Sequence, residues 1–214
     1  LIGTFFSQLK GYAIGLKYSP TDLAYYNRGE GVPGILFNNI NSSINTVLFP
    51  VLSKLQDDKD AIRRALSRSM QMASFVLMPA LLGLAAVSEN FVEILYTSKW
   101  TATIPFMQVI CVMNCFDLLG AANIQALKAV GRADTLLKLE VYKKPLMLTI
   151  LVGCMFISPL AIAIGQFVYS LIALAINAYP NRKYVNYPLK DQFMDISRSL
   201  FTATSMAVVV YMIG

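Results

Sequence analysis

The sequence predicts an all-α integral membrane protein, a polytopic helical bundle, and three observations carry that reading. Hydrophobic residues fill 56% of the 214 positions and charged residues only 14%, whereas a soluble domain carries about 25% charged residues. The apolar residues fall in blocks close to the roughly 20 residues that a helix needs to cross a bilayer. Lys and Arg gather in every second connection between those blocks. With a mean hydropathy of +0.56, a water-soluble globule of this size has no interior large enough for so much apolar surface.

Composition removes other classes. The chain has no histidine, which excludes His-ligated zinc and His-based triads. Its three cysteines, Cys111, Cys115 and Cys154, sit inside apolar blocks. Cys111 and Cys115 are four apart on one helix face, which is neither a CxxC motif nor a disulfide framework, and all three read as small core residues. The net charge of +6 does not point to nucleic acid, because the cations are split among connections as membrane topology requires. No metal or other cofactor is expected.

Taken in order, residues 1–17 read as a partial span. The chain begins at Leu1 without a methionine or a charged n-region, so no signal peptide is expected, and it ends at Gly214 inside an apolar run. The expectation is a fragment of a longer membrane protein. Ser19-Pro20-Thr21-Asp22 starts a short helix, with Ser19 as N-cap, Pro20 at the first position and Asp22 closing a capping box. Gly29, Gly31 and Pro33 are expected to break it before a second span over 32–53. A third span covers 69–87, kinked near Pro79 and Gly83. Spans at 104–127, 139–157 and 160–179 follow, the last two joined by Ser158-Pro159, and a final one at 196–214 is unfinished. Residues 1–214 thus form a single transmembrane bundle of about seven spans.

Orientation follows from the connections. Residues 53–70 carry Lys54, Lys59, Arg63, Arg64 and Arg68; 128–144 carry Lys128, Arg132, Lys138, Lys143 and Lys144; 180–198 carry Arg182, Lys183, Lys190 and Arg198. These are fourteen of the eighteen basic residues, so the three connections are assigned to the cytoplasm. Phe91, Tyr96, Trp100 and Phe106 are expected at the outer interface, and Tyr179, Tyr184 and Tyr187 at the inner one. The basic connections read chiefly as topology anchors; a sharper reading sets Arg63, Arg64 and Arg68 against the phosphates of a lipid-linked substrate.

The second span holds the most informative polar residues. At roughly 100° per residue, Asn38, Asn39, Asn41, Ser42, Ser43, Asn45 and Thr46 cover about 200° of arc, opposite an apolar sector of Leu36, Phe37, Ile40, Ile44, Val47 and Leu48. Unpaired amides in hydrocarbon cost several kcal/mol, so this face cannot meet lipid. A seam with one neighbouring helix is the plainer explanation, but four asparagines exceed what one neighbour can satisfy. A water-filled cavity follows, and uncharged amides and hydroxyls are the groups that line a path for sugars. In the fourth span Asn114, Asp117 and Gln125 share a face with Ala121, while Asn123 points the other way. Asp117 is a carboxylate within the membrane, a functional candidate unless it only bonds to Lys10 or a neighbouring helix. Lys10, midway along the first segment, is a cation that meets a phosphate or Asp117, or else snorkels to the interface. The candidate cavity-lining set is Lys10, Asn38, Asn41, Ser42, Asn45, Asn114, Asp117 and Gln125. No paired carboxylates within a span, phosphate-binding glycine loop or nucleophile beside a base occurs, so no enzyme is expected.

Several stretches carry a family resemblance: 22–29 (Asp-Leu-Ala-Tyr-Tyr-Asn-Arg-Gly), the asparagine-rich span, 48–58 (Leu-Phe-Pro-Val-Leu-Ser-Lys-Leu-Gln-Asp-Asp), 93–100 (Glu-Ile-Leu-Tyr-Thr-Ser-Lys-Trp), 127–132 (Leu-Lys-Ala-Val-Gly-Arg) and 176–183 (Ile-Asn-Ala-Tyr-Pro-Asn-Arg-Lys). Together, in order and over essentially the whole chain, they resemble the bacterial oligosaccharide (O-antigen type) flippases of the multidrug/oligosaccharidyl-lipid/polysaccharide exporter superfamily. The resemblance implies the later part of a fourteen-helix, MATE-like fold, from the end of helix seven into helix thirteen, in the inner (cytoplasmic) membrane. It implies movement of an undecaprenyl-pyrophosphate-linked oligosaccharide by alternating access for surface polysaccharide or lipopolysaccharide synthesis. The implied partners are that lipid-linked oligosaccharide, membrane lipids, and polysaccharide polymerase and glycosyltransferase machinery. Three other readings compete. A cation-coupled multidrug exporter of the same fold would favour acids and aromatics over amides, a non-transporting scaffold of envelope synthesis would need no broad polar face, and a polyprenyl transferase would need catalytic groups.

The orientation is checked by thiol labelling of the full-length protein in intact cells. A membrane-impermeant maleimide is expected to label Ser98→Cys and to leave Asp58→Cys, Cys111 and Cys154 unlabelled; the reverse pattern at 98 and 58 overturns the assignment.

Overall fold

A computed structural model describes residues 2–56 and 58–213, with side chains from Leu9 onward. The described residues are all-helical: α1 (Ile2–Lys17), α2 (Pro20–Lys54), α3 (Lys59–Ala86), α4 (Ser88–Tyr96), a 3-10 turn (Ser98–Thr103), α5 (Ile104–Ala129), α6 (Ala133–Met155), α7 (Pro159–Tyr184) and α8 (Leu189–Ile213). Among the described residues, four stretches are long and apolar enough to cross a membrane: Lys59–Ala86, Ser98–Ala129, Pro159–Tyr184 and Leu189–Ile213. The protein is therefore a multi-pass membrane protein. The asparagine face of α2 and the Glu140, Lys143 and Lys144 charges of α6 account for the lower hydropathy of those two helices.

Local chemistry starts α2 as expected. The Ser19 hydroxyl accepts from the Asp22 backbone N–H at 3.0 Å, and the Ser19 N–H donates to the Asp22 carboxylate at 3.1 Å, with Pro20 at the first helical position. Such a cap contributes about 1 kcal/mol. The expected break at Gly29, Gly31 and Pro33 does not occur, and α2 runs unbroken for 35 residues. Proline inside a helix removes one backbone bond, which membrane helices tolerate where neighbours compensate. Gly29 serves packing instead of a turn. A Cβ there would lie 2.7 Å from Phe106 Cβ and 3.0 Å from the Met107 backbone nitrogen, so only glycine lets α2 cross α5 this closely. Pro79, Pro145 and Pro180 likewise lie within helices, and α3 begins ten residues before its expected apolar block, capped by Asp58 through the Asp60 and Ala61 N–H groups.

Helix α5 lies at the centre, packed against α2, α3, α6 and α7, while α8 packs on α3. Cys111 and Cys115 are fully buried core residues, as their placement in the sequence suggests. On the side of α5 that Asn123 faces, a buried amide cluster joins three helices. Asn123 and Gln192 exchange hydrogen bonds at 2.7 and 2.9 Å, and the Asn181 amide donates to Asn123 Oδ1 at 2.6 Å; the Asn181 oxygen itself has no partner among the described residues.

Two aromatic expectations are corrected. Phe106 is buried against Tyr26, edge to face at 5.9 Å, rather than at the interface. Tyr187 is buried in the α7–α8 connection, where its hydroxyl donates to Asp195 at 2.6 Å; burial, reinforced by that bond, pushes its pKa above the ordinary tyrosine value. Near the start of α2, Tyr96 and Trp100 instead hold the Arg28 guanidinium, 5.2 Å from each ring centroid. Arg63, a candidate phosphate contact from sequence, pairs with Asp191 at 2.7 Å.

Two neighbouring glycines make a paired test. Gly29→Ala is expected to destabilise the purified full-length protein by about 1–3 kcal/mol through overpacking against α5. Gly31→Ala, with nothing within 4 Å of the added Cβ, is expected to leave the melting temperature unchanged or slightly raised. Equal melting temperatures for the two variants would contradict the close crossing.

Candidate functional site

A cavity of about 350 Å³ opens between α1, α2, α5, α6 and α7, level with the middle of each of α1, α2, α5 and α7. Four of the eight sequence candidates line it: Lys10, Asn38, Asn114 and Asp117. The remaining four, Asn41, Ser42, Asn45 and Gln125, line a shallower groove of about 540 Å³ that also includes Asn38. Asn38 therefore belongs to both spaces. The groove leads along α2 toward the ends of α2 and α5, where the basic connections lie.

Within the cavity the charges are paired across helices. Lys10 Nζ lies 2.5 Å from Glu30 Oε1 and 5.2 Å from the centroid of the Tyr26 ring. The Tyr26 hydroxyl donates to Gln166 Oε1 at 3.2 Å, which ties α2 to α7. Asp117 does not take Lys10 as its hydrogen-bonded partner; its carboxylate accepts from the Ser170 hydroxyl of α7. The Asn114 amide nitrogen donates to the Pro33 carbonyl at 3.2 Å, so this residue contributes to the α2–α5 contact as well as to the lining.

The groove is chemically different. Thr46 returns its hydroxyl to the Ser42 backbone carbonyl one turn earlier, at 2.9 Å. The side-chain amides of Asn38, Asn41, Asn45 and Gln125 make no hydrogen bond among the described residues. They present free donors and acceptors along one uncharged path, the arrangement that hydroxyl-rich molecules or water can satisfy.

Glu30, Gln166, Tyr169 and Ser170 also line the cavity and were not among the candidates. Reading α2 as broken at Gly29–Pro33 hid Glu30. On a continuous helix, Glu30, Gly34 and Asn38 recur at four-residue spacing, and all three line the cavity. Gln166 and Ser170 stand four apart with Tyr169 beside them in the otherwise apolar α7, a weaker stripe of the same kind.

Comparison with known proteins bears on this arrangement. Residues 1–105 match the family described as "Polysaccharide biosynthesis protein". The "Lipopolysaccharide biosynthesis protein WzxC" of Escherichia coli strain K12 is 30% identical over 148 residues, 69% of this chain and 30% of that protein. The chain belongs to the polysaccharide-biosynthesis family of membrane proteins. Other members similar to it are the "Teichuronic acid biosynthesis protein TuaB" of Bacillus subtilis strain 168, 30% identical over 56% of the chain and 25% of that protein, and the "Succinoglycan biosynthesis transport protein ExoT" of Rhizobium meliloti strain 1021, 25% identical over 54% and 24%. The matched stretches amount to 24% to 30% of these family members' lengths. No solved structure matches the chain at a significant level.

The ion pair yields a test of its own. Glu30→Gln in the full-length protein is expected to lower folded yield by depriving Lys10 of its carboxylate partner. The cost is on the order of 3 kcal/mol for a fully buried pair and smaller here, since Glu30 is 35% exposed. Lys10→Met in the same background is expected to restore yield, and Asp117→Asn, whose amide oxygen still accepts from Ser170, to leave it near wild type. Fluorescence-detected size exclusion reports all three, and a Glu30→Gln yield equal to wild type would mean the pair has no structural weight.

Proposed function

We propose that this chain is the later part of a fourteen-helix, MATE-like flippase that carries a lipid-linked oligosaccharide across the bacterial cytoplasmic membrane for surface polysaccharide synthesis. The polyprenyl-pyrophosphate anchor would stay with the membrane lipids while the glycan passes through the cavity and groove, in company with polymerase and glycosyltransferase machinery. The observation that carries this reading is the run of free, uncharged amides from Asn38 to Asn45 and Gln125, continuous with a cavity level with the helix midpoints. Sugars need many hydrogen bonds and no fixed charge, and sites near the bilayer midplane are where transporters hold substrate. The similar proteins named for lipopolysaccharide, teichuronic acid and succinoglycan biosynthesis support a glycan cargo.

A second reading, a cation-coupled exporter of the same fold, draws on Lys10, Glu30 and Asp117 in that cavity. The two readings are compatible if the charged residues couple transport to an ion while the amides hold the cargo, with Asp117 as the coupling candidate.

The amide path is tested in the full-length protein. Asn38→Leu with Asn45→Leu makes α2 more apolar, so insertion and yield are expected to hold. Each lost hydrogen-bonding group is worth about 1 kcal/mol, and the double variant is expected to lose roughly ten-fold or more of its flipping rate. Full complementation of a flippase-null strain by the double variant would reduce this face to packing and remove the main support for a glycan cargo.

A further inference from the structure

The ends of α6 and α7 form a second polar site, remote from the cavity. Lys138 and Leu139 of α6 and Tyr179, Arg182, Lys183 and Tyr184 of α7 surround a groove of about 600 Å³. Lys138, Arg182 and Lys183 are exposed and form no ion pair among the described residues. The acid nearest to Lys138 in sequence after it, Glu140, is taken by Lys143 at 2.5 Å and Lys144 at 3.4 Å. Arg132 adds a fourth cation at the rim, 4.7 Å from the centroid of the Tyr184 ring. Cations gathered in one groove repel each other, and that repulsion is relieved by a bound anion.

What lies beyond the groove indicates the anion's chemistry. Further along the two helices, away from their basic ends, α6 exposes Leu148 and Val152 and α7 exposes Val168 and Ile172. A molecule seated here therefore meets positive charge and tyrosines at one end and an apolar wall at the other. An inorganic phosphate would use only the first, and a phosphopeptide has no reason to follow the second into the bilayer. Basic pockets between helices on the cytoplasmic side suit anionic headgroups, and the distribution of Lys and Arg puts this end in the cytoplasmic leaflet.

We infer that the α6–α7 groove binds the phosphate headgroup of an anionic phospholipid of the inner leaflet, with its acyl chains along the exposed valines and isoleucine. The site stands apart from the cargo path and does not depend on what the cavity carries.

The test uses full-length protein purified in detergent and examined by native mass spectrometry and thermal unfolding, with cardiolipin, phosphatidylcholine or inorganic phosphate added. Wild type is expected to retain cardiolipin and to gain several degrees of melting temperature from it, with little gain from the other two. A Lys138→Gln, Arg182→Gln, Lys183→Gln variant is expected to retain at least five-fold less cardiolipin. A control with the same charge change elsewhere, Lys54→Gln, Lys59→Gln, Lys190→Gln, should behave as wild type. Equal retention by the groove variant, or an equal loss in the control, overturns the site. A gain from inorganic phosphate matching that from cardiolipin assigns the groove to free anions and overturns the lipid. Should the groove variant fold poorly, wild type still decides, because an equal gain from phosphatidylcholine and cardiolipin rules out headgroup recognition.

Discussion

Helix α5 carries polar side chains on two opposite faces within a medium that offers them no water, and the need to hydrogen-bond both faces fixes where the surrounding helices sit. On one face the Asn114 amide reaches the Pro33 carbonyl of α2, and Asp117 accepts from Ser170 of α7. On the other, Asn123 is bonded by Asn181 of α7 and Gln192 of α8. Helix α7 meets both faces, Ser170 near its middle and Asn181 near its end, and so spans the molecule beside α5. Apolar packing alone would leave helix rotation loosely defined, since lipid tails match leucine as solvent. Interhelical amide bonds of about 1 kcal/mol each select one rotation because the alternatives strand polar groups. The close approach at Gly29 belongs to the same arrangement: it brings the α2 backbone near enough for Asn114 to reach it.

The two polar spaces that follow divide the chemistry. Charged groups collect in the cavity, where Lys10 and Glu30 neutralise each other across α1 and α2. The groove beyond Asn38 holds only amides, hydroxyls and the Phe49 ring. Amides both donate and accept, and they exchange hydrogen bonds with water or hydroxyls at little net cost. The division thus separates paired charges from uncharged hydrogen-bonding groups.

Much of this was legible in the sequence. Asn38, Asn41, Ser42 and Asn45 share one sector of α2, and Asn114, Asp117 and Gln125 one face of α5, by spacing alone, and the fold sets these residues around the cavity and groove. The capping box at Ser19 and Asp22 fixed one helix start by purely local chemistry. What misled was local too. Gly29, Gly31 and Pro33 carry the signature of a break, yet in this setting glycine gives close packing and proline is compensated by neighbours, neither of which a linear pattern reports. The same misreading concealed Glu30, and with it the partner of Lys10. Phe106 and Tyr187 read as interface aromatics because both flank apolar blocks; their burial depends on which helix lies across from them, and only the three-dimensional packing determines that. Asn123 was placed on the correct side of α5, but its partners on α7 and α8 lie 58 and 69 residues away, beyond any local signal.

The cluster of Asn123, Asn181 and Gln192 has a consequence for how a membrane voltage acts on the molecule. A potential of 100 mV does about 2.3 kcal/mol of work on each elementary charge carried across it, and it does none on a neutral amide that keeps its place. Amides also do not titrate, so a proton gradient leaves their bonds unaltered. The amide bonds that join α5, α7 and α8 are therefore blind to both components of the proton-motive force. Charged groups do feel such a field, and Lys10, Glu30 and Asp117 are held on the other side of α5.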